Sequence, residues 1–201
     1  MPGKLTYFGL GGRAEAIRAM LDHAGVAYEN NAVEDNAEIK ASGYSPMGGM
    51  PLWDEDGFVV CQSNSVLRML GIRHGYYTED AQIAYNIDSL CDFHEDIVGM
   101  FVQYIFPVLS GGSPGDEEKY MTFWNKQSAV VEKRLKGHGK PFVAGTDRPT
   151  IADFKLFAQV GYGFPDCAQA CAIPPEVQGK AQAVIDGCPA YKAWIARMKT
   201  E

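Results

Sequence analysis

The sequence has no surplus of positive charge: 18 lysines and arginines stand against 25 aspartates and glutamates, a net charge of −7. Nothing in that balance would neutralise a phosphate backbone, so nucleic acid is not an expected partner. Cysteine is scarce as well. The five residues Cys61, Cys91, Cys167, Cys171 and Cys188 are an odd number spread over 201 positions, which excludes a disulfide scaffold and points to a reducing, cytoplasmic setting. Cys167 and Cys171 have no second ligand pair at zinc spacing, so no metal is expected. No run of about 18 apolar residues occurs, and residues 1–7 hold no apolar core of signal-peptide length, so neither a membrane span nor export is expected. With 46% apolar and 21% charged residues, the chain is not a disordered one.

Two different patterns occupy the two parts of the chain. Lys4-Leu5-Thr6-Tyr7-Phe8 is β-prone and stops at Gly9, Gly11 and Gly12. From Arg13 a helical period takes over, with Ile17, Met20, Leu21 and Ala24 on one face and Gly25 as its stop. Residues 28–33 read as a second strand. From Pro51 to Cys61, Asp56-Gly57 divides two apolar runs and predicts a hairpin. Ser63-Asn64-Ser65 offers N-caps for a helix carrying Val66, Leu67, Met69 and Leu70. The order βαβ, hairpin, helix predicts a small mixed sheet over residues 1–75.

Beyond a polar linker near residues 74–80, residues 81–201 read as all-helical. Ile83, Ile87, Leu90, Ile97, Phe101 and Ile105 predict a long amphipathic helix ending near Pro107. A glycine-rich loop follows at 110–115. Tyr120, Phe123, Trp124, Val131 and Leu135 mark the next helix. Ile151, Phe154, Leu156, Phe157 and Val160 are apolar on several sides and predict a buried helix. Thr150 and Asp153 have capping-box spacing at its start, and Tyr191, Trp194, Ile195 and Met198 mark a last amphipathic helix.

Taken together, several motifs resemble a known family. They are Leu5-Thr6-Tyr7-Phe8 with Gly12-Arg13-Ala14-Glu15, then Gly48-Gly49-Met50-Pro51-Leu52, Gln62-Ser63-Asn64, Asp88 and Asp92, and the stretch 145–153. In this order and spacing they resemble the cytosolic glutathione S-transferases of the tyrosine type, closest to the Sigma class. The resemblance implies a thioredoxin-like α/β N-terminal domain that binds glutathione. It also implies an all-α C-terminal domain that contributes an apolar electrophile pocket and the contacts of a homodimer. Met50-Pro51 corresponds to the family's cis-proline turn, which leaves the residue-50 backbone to pair with glutathione as an extended peptide. Gln62 and Ser63 would meet the γ-glutamyl carboxylate at a helix N-terminus. Asp92, or Asp88 one turn earlier, would reach the α-amino group across the dimer. By position Leu10, Met100, Tyr104 and Phe106 would line the second-substrate pocket or, equally, belong to the core at the domain interface.

The resemblance makes Tyr7 the catalytic residue, its O–H donating to the glutathione sulfur, with Arg13 assisting. A thiol of pKa about 8.5 is only about 3% ionised at pH 7. Bringing it to about 6.5 needs about 2.7 kcal/mol. One hydrogen bond to a charged acceptor supplies about 1.5–3 kcal/mol, so one phenol nearly suffices. The thiolate would then attack an electrophilic carbon and form a thioether. Glutathione-dependent isomerisation of the prostaglandin D synthase type uses the same thiol. A non-catalytic binding or structural relative is the remaining alternative. A thiol–disulfide oxidoreductase needs a cysteine after the first strand, and Gly9-Leu10-Gly11-Gly12 has none. The sequence departs from the family in the loop before Pro51. Asn36 stands where a tryptophan is usual, Lys40 is the residue left to meet the glycyl carboxylate, and Gly49 replaces a glutamine or lysine. A looser grip on the glycyl end is therefore expected.

Overall fold

The computed structural model describes residues 2–109, 111–158, 160 and 173–201, so the Cys167 and Cys171 pair lies outside the described residues. Two units divide the chain, Met1–Thr78 and Glu79–Glu201.

In the first unit, β1 (Gly3–Phe8) leads through a short 3-10 turn (Gly12–Ala14) into α1 (Glu15–His23). Then follow β2 (Tyr28–Val33), α2 (Ala37–Ser42), β3 (Leu52–Glu55), β4 (Phe58–Cys61) and α3 (Ser63–His74). The sheet order is β2-β1-β3-β4, with β1 parallel to β2 and β3 antiparallel to both β1 and β4. This is the small mixed sheet that the element order predicts, in the thioredoxin-like domain that the resemblance implies. Ile17, Met20 and Leu21, the apolar stripe of α1, are fully buried. Burying each such side chain contributes about 1.5–3 kcal/mol, and this stripe fixes the helix that follows Arg13. The hairpin turn has Asp56 at φ 52° and Gly57 at φ 85°, the two left-handed residues of a type I′ turn.

Two details differ from expectation. α2 stands where the sequence shows no apolar period; none of its six residues is buried. The backbone also makes Gln62, not one of the three residues after it, the N-cap of α3: Ser63 is already helical.

The second unit holds α4 (Ala81–Leu109), α5 (Glu117–His138), α6 (Ile151–Phe157), α7 (Pro175–Asp186) and α8 (Pro189–Met198). α4 runs through Pro107 and ends two residues beyond it. The chain then folds back so that the Gly115 amide donates to Tyr104 O at 2.9 Å, and a β-carbon at residue 115 would overlap the Gln103 carbonyl oxygen. Pro107 has no N–H to offer Gln103, so this turn of α4 lacks one internal bond and accepts a close neighbour instead. α7 went unread in the sequence, although Pro175 in its first turn is a standard start signal.

Every residue of α6 is buried, as its all-round apolar character predicts. The capping box is formed. The Asp153 carboxylate accepts from Thr150 N–H at 2.8 Å, Thr150 Oγ1 at 2.9 Å, Val143 N–H at 3.0 Å and Trp194 Nε1 at 2.9 Å. Burial pushes the Asp153 carboxyl above its ordinary value, and these donors pull it back. Lys155, in the same helix, is paired with Glu95 at 2.5 Å. Tyr104 stacks on Tyr120 at 4.4 Å and is only 2% exposed. It is packed in the core of the helical unit, one of the two places its spacing leaves open. Met100 is half-buried and Phe106 is exposed.

Candidate active site

Strand β1 delivers Tyr7 as its next-to-last residue, and the side chain is 7% exposed. The phenol oxygen accepts from the Arg13 amide at 3.2 Å. With one lone pair engaged this way, the hydroxyl hydrogen is left to donate to another acceptor, and accepting strengthens that donation. The approach depends on residue 12. Gly12 has φ +48°, and a β-carbon there would stand 2.8 Å from the Tyr7 oxygen and 3.0 Å from Leu10 Cδ1. Only glycine takes up both the backbone conformation and the space.

Facing this turn is the segment before β3. The Met50–Pro51 peptide is cis, and Pro51 is buried. Gly49 has no side chain, yet its backbone is held. Ser45 Oγ donates to Gly49 O at 2.8 Å and accepts from Gly49 N–H at 3.0 Å. Gly49, Met50, Arg13, Cys61, Gln62 and Ser63 line one recess.

Gln62 sits at φ 74°, ψ 102°, outside the range that side-chain-bearing residues favour, at a cost of about 1–3 kcal/mol. Its side chain makes no capping bond to α3; its Nε2 donates weakly to Met47 Sδ at 3.6 Å. The first-turn amides of α3 thus have no side-chain cap, and the helix presents there roughly half a positive charge. A carboxylate suits such a place. Ser63, buried as the first helical residue, adds a hydroxyl.

Of the residues singled out in the sequence, the structure gathers Arg13, Gly49, Met50, Gln62 and Ser63 around the recess, with Pro51 adjoining and Tyr7 bound to the Arg13 amide. Lys40 is exposed on α2 and is not among the lining residues, and Asn36 is the N-cap of that helix. Asp92 lies exposed on α4 in the other unit, and Asp88 is half-buried one turn before it. Sequence reasoning missed three residues. Cys61 lines the recess, Ser45 holds Gly49, and Arg18 lies beneath the glycine loop. The last two act on backbone atoms, which leave no signature in side-chain spacing. Among the described residues, no group of three or more His, Cys, Asp or Glu side chains could hold a metal ion, and no helix is long and apolar enough to cross a membrane.

No protein-family model matches the chain. Curated relatives do: Glutathione S-transferase 1 of Ascaris suum is 32% identical over 149 residues, covering 71% of each chain. The chain belongs to the glutathione S-transferase family. As a member it is a glutathione-dependent transferase. The structure of NaGST-2 superposes with a TM-score of 0.78 at 26% identity, covering 98% of this chain and 91% of that one. Na-GST-3 of Necator americanus, described as monomeric, gives a TM-score of 0.71 at 26% identity and covers 98% and 97% of the two chains.

For this transferase, Ser45→Ala is expected to raise KM for glutathione roughly three- to tenfold with kcat nearly unchanged. Losing both bonds to Gly49 frees a segment that lines the recess, worth about 1 kcal/mol. Steady-state kinetics with glutathione as the varied substrate measure it, and a fall confined to kcat would contradict it.

Proposed function

We propose that this transferase is of the tyrosine type, closest to the Sigma class, and that Tyr7 makes the glutathione thiol nucleophilic. The phenol O–H donates to the sulfur, the thiol proton passes to solvent, and the thiolate remains. The thiolate then attacks an electrophilic carbon of an apolar second substrate, a C–S bond forms, and the leaving group departs with its electron pair. The observation that carries this reading is the Arg13 amide bound to the Tyr7 oxygen, which aims the hydroxyl hydrogen away from the loop.

Glutathione lies, in this reading, with its cysteinyl backbone along Met50 beside Pro51 and Gly49, and its γ-glutamyl carboxylate at Gln62 and Ser63. Arg13 adds positive charge beside the recess. Lys40 meets the glycyl carboxylate, and the missing tryptophan and the bare Gly49 make that end the weaker one. Residues 1–75 form the glutathione-binding domain. The protein works as a cytoplasmic homodimer in which Asp92 of one subunit meets the α-amino group of the other's ligand. Leu10, 45% exposed after β1, is an apolar residue this unit offers to the second substrate.

Tyr7→Phe tests the reading. The pKa of the bound glutathione thiol, followed by ultraviolet absorbance of the thiolate, should rise by roughly one to two units. The conjugation rate with a generic aryl halide should fall about 10- to 100-fold. Unchanged values in both would remove Tyr7 from this role. The same assay on the parent protein separates a conjugating enzyme from a non-catalytic relative, which would bind glutathione without turnover.

A further inference from the structure

Three of the four residues between β1 and Arg13 are glycine: Gly9, Gly11 and Gly12. Such a stretch loses more conformational freedom on ordering than any other, yet Tyr7 leads into it and Arg13 leaves it. One side chain gathers the loop. Arg18 Nη1 donates to Leu10 O at 2.9 Å and to Gly11 O at 3.3 Å, and Nη2 donates to Phe8 O at 3.2 Å. Nε reaches Asn30 Oδ1 at 3.3 Å on β2, so the fork is also anchored to the neighbouring strand. Its charge is balanced by Glu15 Oε2 at 3.1 Å, with both side chains mostly buried at 13% and 16% exposure. The guanidinium carbon stands 5.9 Å from the Tyr7 ring centroid.

A planar peptide sends its N–H opposite to its C=O. Holding the carbonyls of residues 8, 10 and 11 therefore fixes the directions of the amides at 9, 11 and 12 as well. Gly12 is then kept at its contact with the Tyr7 oxygen, and the Arg13 amide at its bond to that oxygen. A lysine in this place would bring one ammonium and no fork, and could not serve three carbonyls and an asparagine at once.

We propose that Arg18 is a positioning residue for the reaction: through the loop at 8–11 it sets where the Tyr7 hydroxyl points. This rests on the reading of Tyr7 as the group that stabilises the thiolate. Arg18 is not among the residues that line the recess, and its effect on the thiolate passes through Tyr7.

The test is a double-mutant cycle in the full-length protein, with glutathione and an aryl halide, reading kcat/KM and the pKa of the bound thiol. Arg18→Ala should lower kcat/KM about tenfold, because small misplacements of a reacting group carry penalties of that order, and should raise the thiol pKa. Arg18→Lys, which keeps the charge and most of the stem, should remain closer to Arg18→Ala than to the parent. In the Tyr7→Phe background, Arg18→Ala should cost less than about twofold, since the group it orients is gone. The same tenfold loss in that background, with the thiol pKa unmoved, would show a merely structural arginine and overturn the proposal, as would full rescue by lysine. If Arg18→Ala does not fold, the lysine variant carries the same cycle. An unchanged thiol pKa in Tyr7→Phe alone would instead overturn the role of Tyr7, so the two failures are told apart.

Discussion

Gly12→Ala is expected to reduce kcat/KM about as far as Tyr7→Phe does, and to cost about 1–3 kcal/mol of stability besides. Two effects act together. At φ +48° a side-chain-bearing residue is strained whatever its size. The added β-carbon would also stand 2.8 Å from the Tyr7 oxygen, inside van der Waals contact, so either the hydroxyl or the loop must move. The Arg13 amide loses its acceptor in both cases. Gly49→Ala is the control: it lies in the same site, its β-carbon would meet nothing within 4 Å, and it should leave stability within about 0.5 kcal/mol of the parent. Kinetics on the two variants, with urea unfolding of each, measure the contrast. Full activity in Gly12→Ala would contradict the role proposed for the Tyr7 phenol.

Asp153→Ala should destabilise the helical unit by about 4 kcal/mol, at the upper end for a single substitution. The carboxylate accepts from two backbone amides, a hydroxyl and an indole N–H, all buried. Removing it leaves these donors without water to replace it, each costing about 1–3 kcal/mol, with some relaxation reducing the sum. It also uncaps α6, every residue of which is buried, so fraying cannot be absorbed at a surface. Asp153→Asn keeps the shape but turns an NH2 toward donors, and it should fall between Asp153→Ala and the parent. The shift of the denaturant midpoint at constant slope reports it. A loss below about 1 kcal/mol would show that the four bonds are individually slack.

Much of this architecture was legible because its signals are local. The hairpin at Asp56-Gly57, the stripe of α1 and the Thr150–Asp153 box each need only a few adjacent residues to be recognised, and each is formed. Where the reading failed or stayed open, longer-range physics decided. α2 has no apolar stripe, so nothing in its composition marks it. The N-cap of α3 fell on Gln62 because a left-handed backbone angle, not a side-chain bond, makes that corner. Tyr104 sits at a spacing that fits a pocket or a core equally; packing on Tyr120 placed it in the core. At the site, Arg13, Met50, Gln62 and Ser63 were found through motif resemblance, and the recess unites them with Gly49. Ser45 and Arg18 stayed hidden because they hold carbonyls and amides, which every residue possesses.

The contact of Gly115 with the last turns of α4 sets a rule for altering the connector ahead of α5. Extra residues placed at 113–114, past the Gly111 and Gly112 amides that bond Val108 O and Pro107 O, lengthen an exposed span, and loop-closure entropy charges little for that, about 0.6 kcal/mol per doubling. Extra residues placed between Gly115 and the Asp116 cap would separate the anchored amide from the helix it starts. A reporter peptide or affinity tag inserted into this protein therefore belongs on the upstream side of that glycine.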